Sequence, residues 1–189
     1  MRKHIILTVI IFFATLAAGC TISHKFGPFM GKVVDAETGE PIEGAAVLIV
    51  FSIESSSLGG SVNSFADAIE TLTDAQGEFR FTPKRINFFK MMANWNDDCQ
   101  VSIFKPGYGA YPGHRKSYSS SKDKPALFIP ENEYITYYLP KLKNLKEKKE
   151  NLFNIREPGG IPIEKMPNMQ RLQSEERVNV GLKPYNKWR

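Results

Sequence analysis

Residues 31–47 read GKVVDAETGEPIEGAAV, two β-rich runs joined by a connection crowded with acidic residues, glycine and proline. Such a connection favours a hairpin, because Gly39 can adopt the positive φ that a tight turn requires and Pro41 has no N–H to donate to a sheet. The stretch therefore predicts an antiparallel pair of strands, and it guides the interpretation of the residues on either side.

The chain repeats this pattern of strand and turn downstream. The run over 47–53 has almost no polar residue, which is typical of a strand that is central or covered on both faces. Residues 78–82 alternate as EFRFT after a turn centred on Gly77, as expected of a half-buried strand. Two further strands and a short edge strand are predicted, at 101–104, 134–139 and 126–130. Six or seven such strands indicate an antiparallel β-sandwich.

The longer connections are predicted as irregular structure. Residues 54–66 are rich in serine and glycine and predict a surface loop. Residues 62–72 have the spacing of a short amphipathic helix, with a strand from residue 69 as the alternative. Residues 84–100 predict a loop with a partial strand, and the Ser- and Lys-rich residues 115–124 predict an exposed loop.

Three motifs resemble those of the carboxypeptidase regulatory-like domain, a transthyretin-like β-sandwich. They are G-x-V-x-D-x-x-T-G-x-P-I-x-G-A-x-V over 31–47, T-D-x-x-G-x-F-x-F over 73–81 and F-K-P-G-Y over 104–108. The resemblance implies a seven-stranded sandwich over 30–140. In the peptidases after which the family is named, the domain accompanies a zinc-dependent catalytic domain. An H-x-x-E motif, which would mark such a domain, does not occur in the sequence.

The N-terminal residues have the pattern of a bacterial export signal. Arg2, Lys3 and His4 precede an apolar run over 5–18 that is short for a membrane span, as in a signal peptide over 1–19. The sequence LAAGC at 16–20 resembles the lipobox of bacterial lipoproteins, which implies cleavage before Cys20 and attachment of diacylglycerol to its sulfur. The alternative is an ordinary signal peptide cut near Ala18 or Gly19, which would leave Cys20 as a free thiol.

Lipidation would place the protein in the cell envelope. Thr21 follows Cys20 where aspartate is associated with retention in the inner membrane, so the outer membrane, facing the periplasm, is favoured. Residues 20–29 would form a short tether. Cys99 is the only other cysteine, so we expect a small core residue there and no internal disulfide.

Residues 141–189 differ in charge from the preceding residues. They contain 12 basic and 6 acidic residues, whereas residues 20–140 contain 11 basic and 14 acidic ones. A broken apolar stripe over 142–155 predicts a helix that packs on the sandwich, and a second helix is predicted at 169–177. The lysines would either solvate an exposed face or be attracted to anionic lipid headgroups near the anchor.

Candidate ligand-binding residues are aromatic. Trp95, Tyr108 and Tyr111, with Tyr118, lie on predicted loops, where their rings could form a stacking platform for a carbohydrate or a peptide. Neither His24 nor His114 has a second histidine beside it, and the acidic turns lack the spacing of a calcium loop, so no metal or other cofactor is expected.

The sequence therefore predicts a lipid-anchored binding or structural module of the cell envelope, without catalytic activity of its own. Its expected partners are the membrane, through lipidated Cys20, and an envelope protein or glycan. Nucleic acid is not an expected partner, because the chain is exported and lacks the aromatic motifs of RNA-binding domains. The alternative is an accessory domain or subunit of an envelope hydrolase encoded on a separate chain.

Overall fold

The computed structural model describes residues 21–57, 60–89, 93–121, 127–155 and 160–185. The predicted signal peptide and Cys20 lie outside these ranges. The described residues are mainly β, as predicted, with two α-helices near the C-terminus. The strands are β1 Thr21–Phe26, β2 Phe29–Asp35, β3 Ala46–Ser57, β4 Gly60–Leu72, β5 Glu78–Phe81, β6 Lys84–Phe89, β7 Ala93–Trp95, β8 Cys99–Phe104, β9 Tyr118–Ser119, β10 Phe128–Ile129 and β11 Tyr134–Leu139. The helices are α1 Leu145–Phe153 and α2 Pro167–Asn179, with a 3₁₀ turn at Ile163–Lys165 between them.

The strands form three sheets. One has the order β5-β2-β11-β9, a second has the order β10-β8-β3-β4 with β7 also paired to β3, and the third is the pair β1-β6. All of these pairs are antiparallel except β2 and β11, in which Tyr134 lies opposite Met30 and Leu139 opposite Asp35. This parallel pair corrects the prediction of a purely antiparallel structure. The pattern of apolar residues indicates which face a side chain occupies, but not the direction of the neighbouring strand.

The stretch 31–47 connects two sheets and is not a hairpin. β2 belongs to the four-stranded sheet and β3 to the five-stranded one, and the turn over 73–77 makes a second crossing, from β4 to β5. The predicted turn chemistry is confirmed, because Gly39 and Gly77 both have φ of +74°. The sequence predicted the turns correctly and the strand pairing wrongly, because a polar, glycine-bearing turn serves equally well in a hairpin and in a crossing.

β3 is the central strand, as its apolar composition predicted. It pairs with β4 and β8, and its alternate residues enter two separate cores. Val47, Ile49 and Phe51 join a cluster shared with the four-stranded sheet. Leu48 and Val50 join a second cluster on the other face of β3. Burial of both faces explains why residues 46–51 of this strand include no polar residue, whereas serine and Glu54 occur further along it.

The two C-terminal helices cover that second face. The cluster around Leu48 and Val50 also contains Leu152 of α1 and the α2 residues Met169 and Leu172. Polar contacts reinforce this packing, since the Glu70 carboxylate accepts hydrogen bonds from the backbone N–H groups of Asn168 and Met169 at 2.7 and 2.6 Å. The predictions of a helix within 142–155 and of another over 169–177 are confirmed, and both helices pack on the β-structure.

Several predicted loops are strands. Residues 54–57 and 60–66 belong to the paired strands β3 and β4, the helix suggested for 62–72 is strand β4, and 84–100 contains β6 and β7. The pairing of β4 with β3 is irregular, because Asp67 lies opposite Phe51 whereas Phe65 lies opposite Ser52. This irregularity breaks the alternation of β4 and gives its apolar residues a near-helical spacing.

The predicted tether over 20–29 contains strand β1. Thr21 already pairs with Phe89 of β6, and Phe26 and Phe29 are buried in the first cluster. The described chain therefore enters the β-structure directly after Cys20. Strands β10 and β11 confirm the predictions at 126–130 and 134–139, and β10 pairs with β8 alone, as an edge strand does. The count of eleven described strands exceeds the predicted seven.

Candidate binding groove

A polar groove of about 480 Å³ lies where α1 meets the β-structure. Residues 113–116 form one wall, residues 140–143 form the floor, and one face of α1 forms the opposite wall. Glu37, from the connection between β2 and β3, closes one side. The volume is within the range of about 300–1,000 Å³ that is common for small-molecule sites.

A capping box begins α1 at the floor of the groove. The Asn144 side chain accepts a hydrogen bond from the backbone N–H of Glu147 at 2.9 Å, and the Glu147 carboxylate accepts one from the backbone N–H of Lys143 at 2.8 Å. The hydrogen bond from Lys143 also holds the pKa of Glu147 below its ordinary value. Glu147 is therefore ionised at neutral pH, and its charge acts on Lys116 as well as on the helix terminus.

Two contacts fix the distance between the walls. Buried Asn151 accepts a hydrogen bond from the N–H of Ala110 at 2.8 Å and donates one to the carbonyl of Tyr108 at 3.1 Å. Gly113 lies so close to α1 that a Cβ on it would overlap the carbonyl oxygen of Asn154. The groove is consequently formed before any ligand arrives.

The charges of the groove do not cancel. Its acidic side chains are engaged, since Glu37 pairs with Lys143 at 3.2 Å and Glu150 pairs with Lys146 at 3.8 Å. Arg115, Lys116 and Lys141 make no ion pair with the described residues. With Lys143, the lining has four cationic side chains against three carboxylates, so the groove has an excess of one positive charge.

His114 lies in the wall beside these cations. Its Nδ1 accepts a hydrogen bond from the backbone N–H of Lys116 at 3.3 Å. Burial lowers the pKa of the imidazole, and the charges of Lys116 and Arg115 lower it further, against the opposing charge of Glu147. The ring is therefore neutral at pH 7 and, with Nδ1 acting as acceptor, carries its hydrogen on Nε2 as a free donor.

The three aromatic residues predicted as a ligand surface are not brought together. Trp95 packs among His24, Phe26 and Phe88, with ring centroids 5.3 to 6.4 Å away, and its buried Nε1 has no hydrogen-bond partner among the described residues. Tyr108 is half-buried against the first core. Burial, followed by the charges of Asp35 and Glu40, raises its pKa.

The position of Tyr111 contradicts the prediction that it forms part of a ligand surface, because the residue is only 1% exposed. It packs against Tyr137 with a centroid distance of 4.9 Å and an interplanar angle of 70°, and its hydroxyl donates to Ser119 Oγ at 3.2 Å. The short segment that follows β8 returns to bridge Ile103 with Tyr111, and this return buries the ring. Tyr111 is a core residue and cannot present its ring to a ligand.

A separate aromatic surface lies on the outer face of the four-stranded sheet. Tyr118, 52% exposed, stacks on Tyr138 with a centroid distance of 4.5 Å and an angle of 10°. On the same face, the Tyr134 hydroxyl donates to the Glu78 carboxylate at 2.9 Å. Tyr118 is the only one of the four loop aromatics considered from the sequence that is more than one-third exposed.

Other candidate chemistry is limited within the described part of the chain. No group of three or more His, Cys, Asp or Glu side chains there is placed to hold a metal ion. Cys99 is buried in the first core, which confirms its predicted place in the core. Among the described helices, none has the length and apolar character needed to cross a membrane.

Sequence reasoning missed the groove because its walls are distant in the chain. Residues 115–124 were predicted as an exposed loop, and the lysines after residue 140 as a solvated or lipid-facing surface. The run His114-Arg115-Lys116 was the available signal, but its charges acquire meaning only when α1 folds beside them.

Comparisons with known proteins add no identification: no family model matches the chain, and no match was found among curated proteins or among solved structures.

Proposed function

We propose that this chain is a lipid-anchored binding module of the bacterial cell envelope, without catalytic activity of its own. The observation that carries the binding role is the preformed groove between residues 113–116 and α1. Its walls are held by the buried side chain of Asn151, so little conformational entropy is lost when a ligand enters.

The anchor is proposed from the N-terminal sequence. The charged residues 2–4, the apolar run over 5–18 and the cysteine of LAAGC support export followed by lipidation of Cys20. Each buried CH₂ of an acyl chain contributes about 0.8 kcal/mol, so several chains on one residue would hold the protein firmly. Because Thr21 begins strand β1, the lipid would be joined to the folded part of the chain almost without a spacer. The outer membrane, facing the periplasm, is the proposed location.

We further propose that the sheets are those of a transthyretin-like sandwich of the carboxypeptidase regulatory-like kind. The support is the three motifs over 31–47, 73–81 and 104–108, together with an apolar core to which both larger sheets contribute. In this proposal β1 and the C-terminal helices are additions to the minimal seven strands. A crystal structure would test it, since a strand order that cannot be superposed on transthyretin would exclude the assignment.

Globomycin, which inhibits the lipoprotein signal peptidase, tests the anchor. Treated cells should accumulate the unprocessed precursor, and the Cys20→Ser variant should leave the membrane fraction or remain unprocessed. A mature form whose abundance is unchanged by globomycin would exclude lipidation. Capture from envelope extracts tests the binding role, and a co-purifying hydrolase whose activity requires this chain would favour the accessory-subunit alternative.

A further inference from the structure

We propose that the groove binds a ligand that carries a carboxylate or phosphate group, held by Arg115, Lys116 and Lys141. This inference rests on the proposed binding function and deepens it by naming the chemical class of the ligand. It does not depend on the lipid anchor.

The groove lining keeps a net positive charge after its ion pairs are counted. Glu37 and Glu150 are paired with Lys143 and Lys146, and Glu147 accepts a hydrogen bond from the backbone at the start of α1. The Glu147 carboxylate also acts on Lys116 through its charge, but the four cationic side chains of the lining exceed its three carboxylates by one, and among the described residues Arg115 and Lys141 make no ion pair. An anion would supply the missing charge, and hydrogen bonds between ionised groups are about twice as strong as neutral ones.

The cationic side chains reach the groove from two different parts of its lining. The three cations do not lie on one solvated helix face, because Arg115 and Lys116 belong to one wall and Lys141 belongs to the floor. Lys116 and Lys141 are 25 residues apart in sequence. Asn151 and Gly113 hold the segment that contains Arg115 and Lys116 against α1. A ligand in the groove would therefore be approached by cations from two sides.

His114 and Arg115 also provide hydrogen-bond donors in the groove. Neutral His114 offers Nε2–H, and the guanidinium of Arg115 offers a planar set of donors suited to two oxygens at once. Carboxylate and phosphate groups accept such bonds, whereas an ammonium group cannot. The donor set thus selects an oxyanion.

The test uses the full-length chain purified in a non-ionic maltoside detergent, which contains no phosphate. Isothermal titration calorimetry at constant ionic strength measures binding of three probes: inorganic phosphate, D-glucuronate and neutral D-glucose. The groove variant is Arg115→Gln with Lys116→Gln. The matched control is Lys148→Gln with Lys149→Gln, which removes the same charge from α1 outside the groove lining. Thermal melting checks that both variants fold.

We expect saturable binding of phosphate or glucuronate, and the probe that binds more tightly identifies which oxyanion the groove prefers. Loss of two charged donors should weaken binding by about tenfold or more, which corresponds to about 1.4 kcal/mol or more, while the control should change it less than about twofold. Absence of saturable binding for both anions, equal binding of glucose, or equal binding by the folded groove variant would overturn the proposal.

The His114 resonance gives an independent readout. The chain has three histidines, so its imidazole spectrum is simple to assign with a His114→Gln variant. A bound anion should raise the pKa of His114, because its negative charge offsets that of Lys116 and Arg115, the cations that face the ring along with the Glu147 carboxylate. A pKa that saturating anion leaves unchanged would contradict binding in the groove. Failure of either test would leave the lipid anchor untouched, since globomycin sensitivity reports on that separately.

Discussion

The Asn151 side chain accepts a hydrogen bond from the backbone N–H of Ala110 at 2.8 Å, although 41 residues separate the two in sequence. Asn151 is 1% exposed and its amide nitrogen also donates to the carbonyl of Tyr108. One side chain on α1 thus satisfies two buried backbone groups of the segment after β8. This contact fastens the C-terminal extension to the β-structure and sets the width of the groove.

Asn151→Ala should destabilise the protein by about 1–3 kcal/mol, because it leaves the N–H of Ala110 buried without an acceptor. Urea unfolding measures the change. Asn154→Ala is the matched control, since that side chain is exposed near the end of the same helix, and it should change stability by less than about 0.5 kcal/mol. Equal effects of the two substitutions would contradict the role of Asn151.

Thr73→Val should cost about 1–3 kcal/mol, because the hydroxyl of Thr73 joins the two crossings between sheets. It donates to the carbonyl of Ile42 at 2.6 Å and accepts from the N–H of Ala45 at 2.8 Å, in a site that is 3% exposed. Valine keeps the shape but leaves both backbone groups unpaired. Thr82→Val, at an exposed position, is the control in the same unfolding experiment, and a loss no greater than that of the control would exclude the linking role.

Leu172→Ala should lower the free energy of unfolding by about 2–5 kcal/mol, because the side chain is 4% exposed between α2 and the five-stranded sheet. Val178→Ala, on the same helix but 57% exposed, should have little effect. Unfolding should remain a single transition, with helix and sheet signals lost together. A separate early loss of helix signal in the wild type would mean that the extension is not docked.

Asp67 should make stability depend on pH. Burial opposes ionisation of this carboxyl, but hydrogen bonds from Lys165 and Lys84 outweigh that effect and hold its pKa below the ordinary value of 3.8. Since the folded pKa is the lower one, the stabilisation is present above the ordinary value and is lost as the pH falls through the folded pKa. The ion pairs, both 2.8 Å long, join β4 to β6 and to the 3₁₀ turn.

Asp67→Asn should therefore lower stability by about 1–2 kcal/mol at pH 7, and the difference from wild type should shrink as the pH falls below 3.8. Thermal unfolding at a series of pH values measures it. Exposed Asp97 provides the control, and Asp97→Asn should change the stability at pH 7 by less than about 0.5 kcal/mol. A difference between wild type and the Asp67 variant that stayed constant with pH would contradict the assigned ion pairs.

Local chemistry in the sequence predicted the turns, the central strand and the helices. Gly39 and Gly77 have the positive φ that their turns required, and residues 46–51 of β3 are apolar because both faces of this part of the strand are buried. What the sequence could not predict is the pairing across the chain. Thr73 shows why, since its hydroxyl joins residues 28 and 31 positions away, and neither separation leaves a periodic pattern.

The groove could not be predicted for the same reason, whereas the aromatic site was predicted from the position of aromatic residues on predicted loops. Tyr111 and Arg115 are four residues apart, yet the tyrosine is buried in the core and the arginine lines the groove. An aromatic residue near a turn is as suitable for core packing as for ligand stacking. A charged residue gains a defined role only from the side chains that surround it.

The central claim is that the folded module is attached to a membrane through Cys20. The most direct measurement is the intact mass of the wild-type protein extracted from the membrane fraction, with the Cys20→Ser variant as control. The account predicts a chain that begins at residue 20 and carries the added mass of a diacylglycerol and its acyl chains, a species missing in the variant. A processed chain with an unmodified Cys20 would contradict it.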